Sequence, residues 1–233
     1  MSFLINPYRY AEAGFSPTDI SGLWSWFDAS TITSDGSTMS GSDVTMWKNK
    51  EGTTARNMNQ TSSTQIPLIT AGQNGLDCID PSPTALMTTS SGLTLAQPFT
   101  IICAGQMPAN NSRYAVYTDA QAGGGRMYIG KTPTDNRWLN LGLQFTETGI
   151  VGTWQTLTCT LNSGTGEMFF GTTSKVSGTQ QAQDWQFARF FDSVSTGEGW
   201  DGEMGEIIIY SKIVSGTELT DLQNYLIDKW GTP

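Results

Sequence analysis

The chain has 233 residues, with 12 lysines and arginines against 21 aspartates and glutamates, so its formal charge is −9. Charged residues make up only 14% of the sequence and glycine occurs 26 times, which excludes a typical helical bundle with charged faces. The acidic balance predicts no nucleic-acid partner and no anionic membrane surface. Histidine is absent, which excludes Ser-His-Asp and Cys-His catalytic systems and His-ligated zinc.

The first 19 residues are predicted to form an arm, followed by one domain over residues 20–233. Pro7 and Pro17 interrupt strand pairing in the arm, and its aromatic residues follow no regular period. Because residues 2–15 are too apolar for a free tail, we expect them to dock onto a neighbouring subunit or a particle surface. The competing interpretation is an extra edge strand on the same domain. The residues predicted to dock are Phe3, Tyr8, Arg9, Tyr10 and Phe15.

From residue 20 onward, short β-type runs alternate with clusters of glycine, serine, threonine and asparagine, which predicts an antiparallel sandwich or jelly roll. Two of the three cysteines, Cys103 and Cys159, lie in such runs and are expected to be buried, unpaired side chains. The wide spacing of the cysteines fits no metal motif, and their odd number argues against a secreted disulfide scaffold. The clearest strands are predicted at residues 23–28, 100–106, 114–117, 126–129, 139–145, 155–161, 167–171 and 205–211.

One amphipathic helix is predicted near the end of the sequence. Ser215 and Glu218 have the spacing of a capping box, and Gly231 is a natural helix stop. Spacings of three and four residues place an apolar stripe on one helix face. The residues of this stripe, expected to pack on the sandwich, are Leu219, Leu222, Leu226 and Trp230, with Tyr225 alongside.

Several segments resemble concanavalin A-like, laminin-G-like jelly-roll domains. The run LWSWFDAS at 23–30 resembles the opening strand of that family, and VTMWKNKEG at 44–52 resembles its tryptophan-containing turn. The segments TWQTLTCTLN at 153–162 and GEMFFG at 166–171 are similar to its paired strands, and GEMGEIIIY at 202–210 to its last strand. The resemblance implies the fold, which serves lectins, glucanases and structural modules alike.

The segment FLINPYRY at residues 3–10 resembles the start of virion structural proteins of tailed phages. This second resemblance implies a virion protein that is made in the host bacterial cytoplasm. It agrees with the start of the sequence, which has no secretory signal, and with the lack of an apolar run of 18 residues.

Glycosidases on the resembled fold use paired carboxylates in a Glu-x-Asp-x-x-Glu strand motif. The nearest match is Asp201-Gly-Glu203-Met-Gly-Glu206, with the first two acids interchanged. Strand alternation places Asp201 and Glu203 on one face and Glu206 on the other, unless a bulge intervenes. We therefore expect ordinary solvated acids at a strand entrance and no catalytic residue.

Two binding roles remain as hypotheses. Domains of the resembled type often hold calcium at the rim of the sandwich, although aspartates in turns are the commoner interpretation. Tryptophans beside loops have two possible roles, stacking on sugar rings or packing in a core or interface. The calcium candidates are Asp28, Asp35, Asp43, Asp119 and Asp135, and the weak carbohydrate-binding candidates are Trp138, Trp185 and Trp200.

The leading functional hypothesis is a non-enzymatic structural protein on the outside of a tailed-phage virion, either a capsid decoration protein or a fibre head. Its expected partners are other virion proteins and further copies of itself, for example in a trimer. The alternative is an adhesin that binds a host surface glycan, and the disfavoured third interpretation is a glycan hydrolase. No resident cofactor is predicted apart from the calcium hypothesis.

Overall fold

In the computed structural model of the chain, the described residues are 14–82, 84–89, 93–106, 114–118, 128–131, 137–140, 143–146, 152–179, 184–186, 189–191 and 200–233. Within these ranges the chain forms nineteen strands and one α-helix, α1 (Gly216–Trp230). The first nine strands are β1 (Leu23–Asp28), β2 (Thr38–Ser40), β3 (Asp43–Trp47), β4 (Met58–Gln60), β5 (Leu68–Ile69), β6 (Cys78–Ile79), β7 (Met87–Thr88), β8 (Thr94–Leu95) and β9 (Phe99–Gln106). The others are β10 (Tyr114–Thr118), β11 (Tyr128–Lys131), β12 (Arg137–Asn140), β13 (Leu143–Thr146), β14 (Trp154–Asn162), β15 (Thr165–Phe170), β16 (Thr173–Thr179), β17 (Trp185–Gln186), β18 (Arg189–Phe190) and β19 (Met204–Tyr210).

The strands form two large antiparallel sheets that pack face to face. The eight-stranded sheet has the order β16-β15-β14-β9-β19-β6-β5, with β1 also paired to β19. The nine-stranded sheet has the order β13-β12-β11-β10-β18-β7-β4-β3-β2, and β8 pairs separately with β17. This arrangement confirms the predicted all-β antiparallel sandwich with one C-terminal helix.

The centre of the eight-stranded sheet is buried on both faces, because one face meets the other sheet and the other face meets α1. In β9, Ile101 and Cys103 belong to the core between the sheets, whereas Ile102 and Ala104 face the helix. The inter-sheet core also contains Trp47 and Trp200, both with no exposed surface. The burial of Cys103 and Cys159, which the sequence predicted, is confirmed.

The helix α1 seals the second face of the eight-stranded sheet, as predicted. Leu222, Leu226 and Trp230 are fully buried, and the Trp230 ring stacks on Trp154 with centroids 5.4 Å apart. An added Cβ at Gly205 would lie 2.7 Å from the Trp230 ring, so glycine is needed where the helix end presses on β19. The helix ends at Gly231, whose φ of +62° gives a left-handed C-cap.

Two local predictions are wrong. Ser215 is the N-cap of α1, but its side chain makes no capping hydrogen bond, and Glu218 pairs instead with Lys212 at 2.8 Å. The predicted single strand at 139–145 is two strands, β12 and β13, which pair antiparallel with Asn140 opposite Leu143. The intervening Gly142 was the turn signal in the sequence.

The described end of the predicted arm packs on the domain. Phe15 lies against Tyr225 of α1, with ring centroids 5.9 Å apart, and the Tyr210 hydroxyl donates to the Pro17 carbonyl at 2.8 Å. Ser16 and Asp19 form a reciprocal capping box. Phe15, predicted to dock on a partner, therefore contacts its own chain. Phe3, Tyr8, Arg9 and Tyr10 lie outside the described residues.

Candidate functional site

The two glutamates at the start of β19 lie on the same face of the sheet, because the strand is irregular there. The register of β19 against β9 shifts between Met204 and Glu206. Met204 faces the inter-sheet core, whereas Glu206 lies among the side chains of α1. The bulge that the sequence left open as a possibility therefore exists, and it brings Glu203 and Glu206 to the helix side.

Glu206 is completely buried and accepts hydrogen bonds from four donors. Its Oε1 accepts from Trp26 Nε1 at 2.6 Å and from the Tyr225 hydroxyl at 2.9 Å. Its Oε2 accepts from Lys229 Nζ at 2.7 Å and from Trp230 Nε1 at 3.0 Å. Burial raises the pKa of this carboxyl, and the Lys229 ammonium opposes that effect. With all four contacts made inside the protein, the carboxylate does not face solvent.

Lys229 bridges Glu206 to Asp28, and these residues with Lys50 form what we call the buried charge cluster. Lys229 Nζ lies 2.9 Å from Asp28 Oδ1, and Lys50 Nζ lies 2.8 Å from Asp28 Oδ2. Burial alone would raise the pKa of Asp28, but the two lysines and a hydrogen bond from Ser30 hold it below its usual value. Burial would lower the pKa of Lys229, but Glu206 and Asp28 raise it. The cluster fastens β1, β19 and α1 together, which is a structural role.

Glu203 has a different surrounding, because it lines an open groove at the end of the eight-stranded sheet, beside the C-terminus of α1. The groove has a volume of about 660 Å³, within the range of small-ligand sites. Backbone of Gly72, Gly152 and Gly231 forms part of its wall. We call this site the glutamine groove, and its side chains are Gln73, Gln106, Thr153, Trp154, Gln155, Glu203 and Pro233.

The three glutamine amides of the groove are each held by one hydrogen bond to its wall. Gln73 Nε2 donates to the Trp230 carbonyl at 2.7 Å, and Gln106 Nε2 donates to the Gly152 carbonyl at 3.2 Å. Gln155 Nε2 donates to Thr153 Oγ1 at 3.0 Å. Each amide has a second N–H and a carbonyl oxygen beyond these bonds. The groove therefore presents oriented donors and acceptors that suit a ligand rich in hydroxyl groups.

The wall of the groove near Glu203 is acidic. The Cys78 thiol donates to Glu203 Oε2 at 3.4 Å, and its pKa is raised to about 12, first by burial and then by the charge of Glu203. The pKa of Asp80 is also raised, first by desolvation and then by Glu203 and Asp201. Glu203, Asp80 and Asp201 therefore lie close enough to interact electrostatically.

The structure places the predicted sugar-stacking tryptophans in three different settings. Trp200 is fully buried between the sheets, so the prediction that its ring is open to a sugar is wrong. Trp138 lies on β12 and Trp185 on β17, with only their backbone described. None of the three lines the described part of the glutamine groove.

The aspartates considered as calcium ligands make contacts within the protein. Asp28 belongs to the buried charge cluster, Asp35 accepts from the Ser37 backbone N–H at 2.8 Å, and Asp43 accepts from the Ile66 backbone N–H at 2.5 Å. Asp119 and Asp135 lie outside the described residues. Across the described ranges, no group of three or more acidic or cysteine side chains is arranged to hold a metal ion.

Sequence reasoning missed both the glutamine groove and the buried charge cluster. The groove draws on chain segments near residues 73, 106, 154, 203 and 231, and no local motif joins them. For the cluster a signal existed: Glu206 directly precedes an Ile-Ile-Ile-Tyr run, and an acid inside an apolar strand needs buried donors.

Comparison with known proteins identifies the fold but no family. No protein-family profile matches the sequence, and no characterised protein matches it at the sequence level. Domain 4 of AbnA, an extracellular GH43 arabinanase from Geobacillus stearothermophilus solved with arabinotriose, is 12% identical, with a TM-score of 0.62. That match covers 86% of this chain and 98% of the other.

Two further structures share the sandwich. The binding domain of Paraclostridial Mosquitocidal Protein 1 is 13% identical, with a TM-score of 0.62 and coverage of 94% of this chain and 56% of that one. A Trypanosoma rangeli sialidase mutant with trans-sialidase activity is 12% identical, with a TM-score of 0.58, and 91% of this chain matches 34% of it. The chain thus spans about half of the toxin structure and a third of the sialidase, and at these identities the likeness shows the fold alone. Within the described residues, no helix has the length and apolar character needed to cross a membrane.

Proposed function

We propose that the protein is a non-catalytic glycan-binding module and that the glutamine groove is its binding site. The observation that carries this proposal is the set of three wall-anchored amides, Gln73, Gln106 and Gln155, around one open groove. Sugar hydroxyls both donate and accept hydrogen bonds, and an amide offers one group of each kind. Because the amides are already oriented, little side-chain freedom is lost when a sugar binds.

The similar structures support the same proposal by analogy. The arabinanase domain was solved with arabinotriose, and the toxin domain is described as a binding domain. The fold serves many functions, so the argument for this chain rests on its own groove.

The positions of the acids support a binding role without hydrolysis. Glycosidases need two carboxyl groups that both reach the scissile bond. Glu206 is enclosed by four donors under α1. Among the described side chains that line the groove, only that of Glu203 is a carboxylate. Glu203 and the enclosed Glu206 therefore do not form the acid and base pair that the reaction requires.

A glycan array followed by calorimetry with the best ligand tests this proposal. We expect the double variant Gln73→Ala, Gln106→Ala to bind that ligand about tenfold or more weakly, since two hydrogen bonds of about 1 kcal/mol each are lost. The control is Asn162→Ala, which removes an exposed amide at the opposite end of β14. Equal weakening by both variants, no glycan ligand at all, or release of reducing sugar from the bound glycan would contradict the proposal.

A particle-attached role is a second proposal, carried by the arm sequence. Residues 2–15 hold six large apolar or aromatic side chains with only Arg9 and Glu12 charged. The contact of Phe15 with Tyr225 fixes where this segment meets the domain. The hypothesis is that residues 1–13 attach the protein to a tailed-phage virion, as a decoration protein or fibre head. The assembled form would be a homo-oligomer.

Truncation tests the second proposal, and the structure defines where to cut. Removing residues 2–13 keeps Phe15 and the Ser16–Asp19 cap, so we expect a folded, soluble domain. We expect the truncated chain to lose both oligomerisation in analytical ultracentrifugation and co-sedimentation with phage particles. Unchanged oligomerisation and attachment would overturn the docking hypothesis and leave glycan binding untouched.

A further inference from the structure

We propose that the glutamine groove selects glycans by charge: it accepts neutral sugars, prefers amino sugars, and rejects sugars that carry carboxylate or sulfate groups. This inference rests on the proposed glycan-binding function and adds the chemical class of the ligand. The glutamine amides hydrogen-bond to the sugar, whereas Glu203 gives the groove its negative charge.

The first step concerns the charges on the groove wall. Glu203 lines the groove, and the nearby Asp80 is close enough to interact with the charges of both Glu203 and Asp201. None of the described residues that line the groove is a lysine or an arginine. Lys229, close by at the end of α1, directs its ammonium to Asp28 and Glu206 under the helix.

The second step concerns the contacts of Glu203. The Cys78 thiol donates to Glu203 Oε2 at 3.4 Å, a long contact from a weak donor. A carboxylate has about four acceptor positions. Glu203 therefore has acceptor capacity toward the groove, where an ammonium group would make a charge-assisted hydrogen bond.

The charge of Glu203 discriminates between neutral and acidic sugars. A ligand carboxylate within the groove would meet the Glu203 carboxylate at short range, and like charges in a partly desolvated site repel strongly. A neutral sugar avoids this repulsion and still uses the three amides. The effect is electrostatic and weakens as salt is added, because part of the groove is open to solvent.

Two matched pairs of oligosaccharides test this selection by calorimetry at pH 6 and low salt. The glucosamine trimer is compared with the N-acetylglucosamine trimer, and the galactose trimer with the galacturonic acid trimer. We expect at least tenfold tighter binding of the amino sugar than of its acetylated form. We expect the galacturonate to bind at least tenfold more weakly than the galactose trimer.

The variant Glu203→Gln keeps the shape of the side chain and removes its charge. We expect it to lose the preference within both pairs. The control Glu167→Gln removes a carboxylate on β15, where Glu167 bonds to Ser174 outside the groove, and should change neither preference.

The outcomes separate this inference from the function on which it rests. If a neutral trimer binds but the acidic sugar binds equally well, or Glu203→Gln leaves the preferences intact, charge selection is wrong and glycan binding stands. If none of the four trimers binds and a glycan array gives no ligand, the proposed function fails and this inference fails with it.

Discussion

Glu203 and Glu206 are three residues apart in the chain, yet they lie in regions of opposite character. Glu206 is enclosed by two indoles, a phenol and an ammonium group under α1. Glu203 lies beyond the end of the helix, in an open groove, with a thiol as its donor. Glu206 thus stabilises the packing of α1 on the sheet, whereas Glu203 is available to a ligand.

The cause of the difference is the length of α1. The bulge between Met204 and Glu206 brings both acids to the helix side of the sheet. The helix ends at Trp230, whose ring packs on Gly205 between the two glutamates. One acid is therefore covered and the other is not, although only Met204 and Gly205 separate them in the chain.

Neutralising each glutamate in turn tests whether the two regions contribute differently to stability. We expect Glu206→Gln to cost about 3–5 kcal/mol of unfolding free energy, because it removes one partner of a buried ion pair. Glu203→Gln, the matched control, should stay within about 0.5 kcal/mol of the wild type. Urea unfolding at pH 7 measures both. Similar costs for the two variants would show that the helix does not divide the two regions.

The second prediction concerns α1, the helix that covers Glu206. Leu222 is fully buried on the face of α1 that packs on the sheet, so we expect Leu222→Ala to cost about 2–5 kcal/mol through lost burial and the cavity that remains. Leu219 lies on the same stripe but is only half-buried, and Leu219→Ala should cost about 1 kcal/mol. A loss below about 0.5 kcal/mol for Leu222→Ala in urea unfolding would make the helix peripheral.

The fold could be predicted because its signals are local. β1 was predicted with its observed bounds, since an apolar run there is followed at once by the Asp-Ala-Ser turn. The helix followed from spacings of three and four residues. Strands of two residues, such as β5 and β6, were missed because two residues carry no periodicity.

The two functional regions could not be predicted in the same way, because they depend on residues distant in the chain. Trp26 and Glu206 are 180 residues apart and meet only after β1 pairs with β19. Gln73 reaches the groove through its bond to the Trp230 carbonyl, 157 residues away. The capping-box prediction at Ser215 failed for a related reason: Lys212, from the preceding loop, pairs with Glu218 instead.

The stability of the covered region, which contains the buried charge cluster, should depend on pH. The pKa of Asp28 is lowered, because its lysine partners outweigh the effect of burial. Its stabilising contribution is therefore present above its unfolded pKa of about 3.9 and is lost as pH falls through the folded value. We expect the stability advantage of the wild type over Asp28→Asn to shrink below about pH 4. The control Asp221→Asn, at an exposed position on α1, should show no such trend.

On the open side, the Cys78 thiol reports on Glu203, because the two groups are in contact. With a pKa of about 12, about 10⁻⁴ of the thiol is ionised at pH 8, against about a quarter for a free cysteine. We expect iodoacetamide to modify Cys78 in the folded protein about 10³-fold more slowly than free cysteine, as followed by peptide mass spectrometry.

Glu203→Gln should raise the alkylation rate of Cys78 only slightly, because burial is the larger cause of the raised pKa and the charge of Glu203 is a smaller one. Glu167→Gln, remote from the thiol, should leave the rate unchanged. A large acceleration in Glu203→Gln would mean that the carboxylate dominates the thiol. Its charge would then be directed inward toward Cys78 rather than toward the groove. No acceleration at all would mean that the carboxylate and the thiol do not meet, and Glu203 would then face the groove without an internal partner.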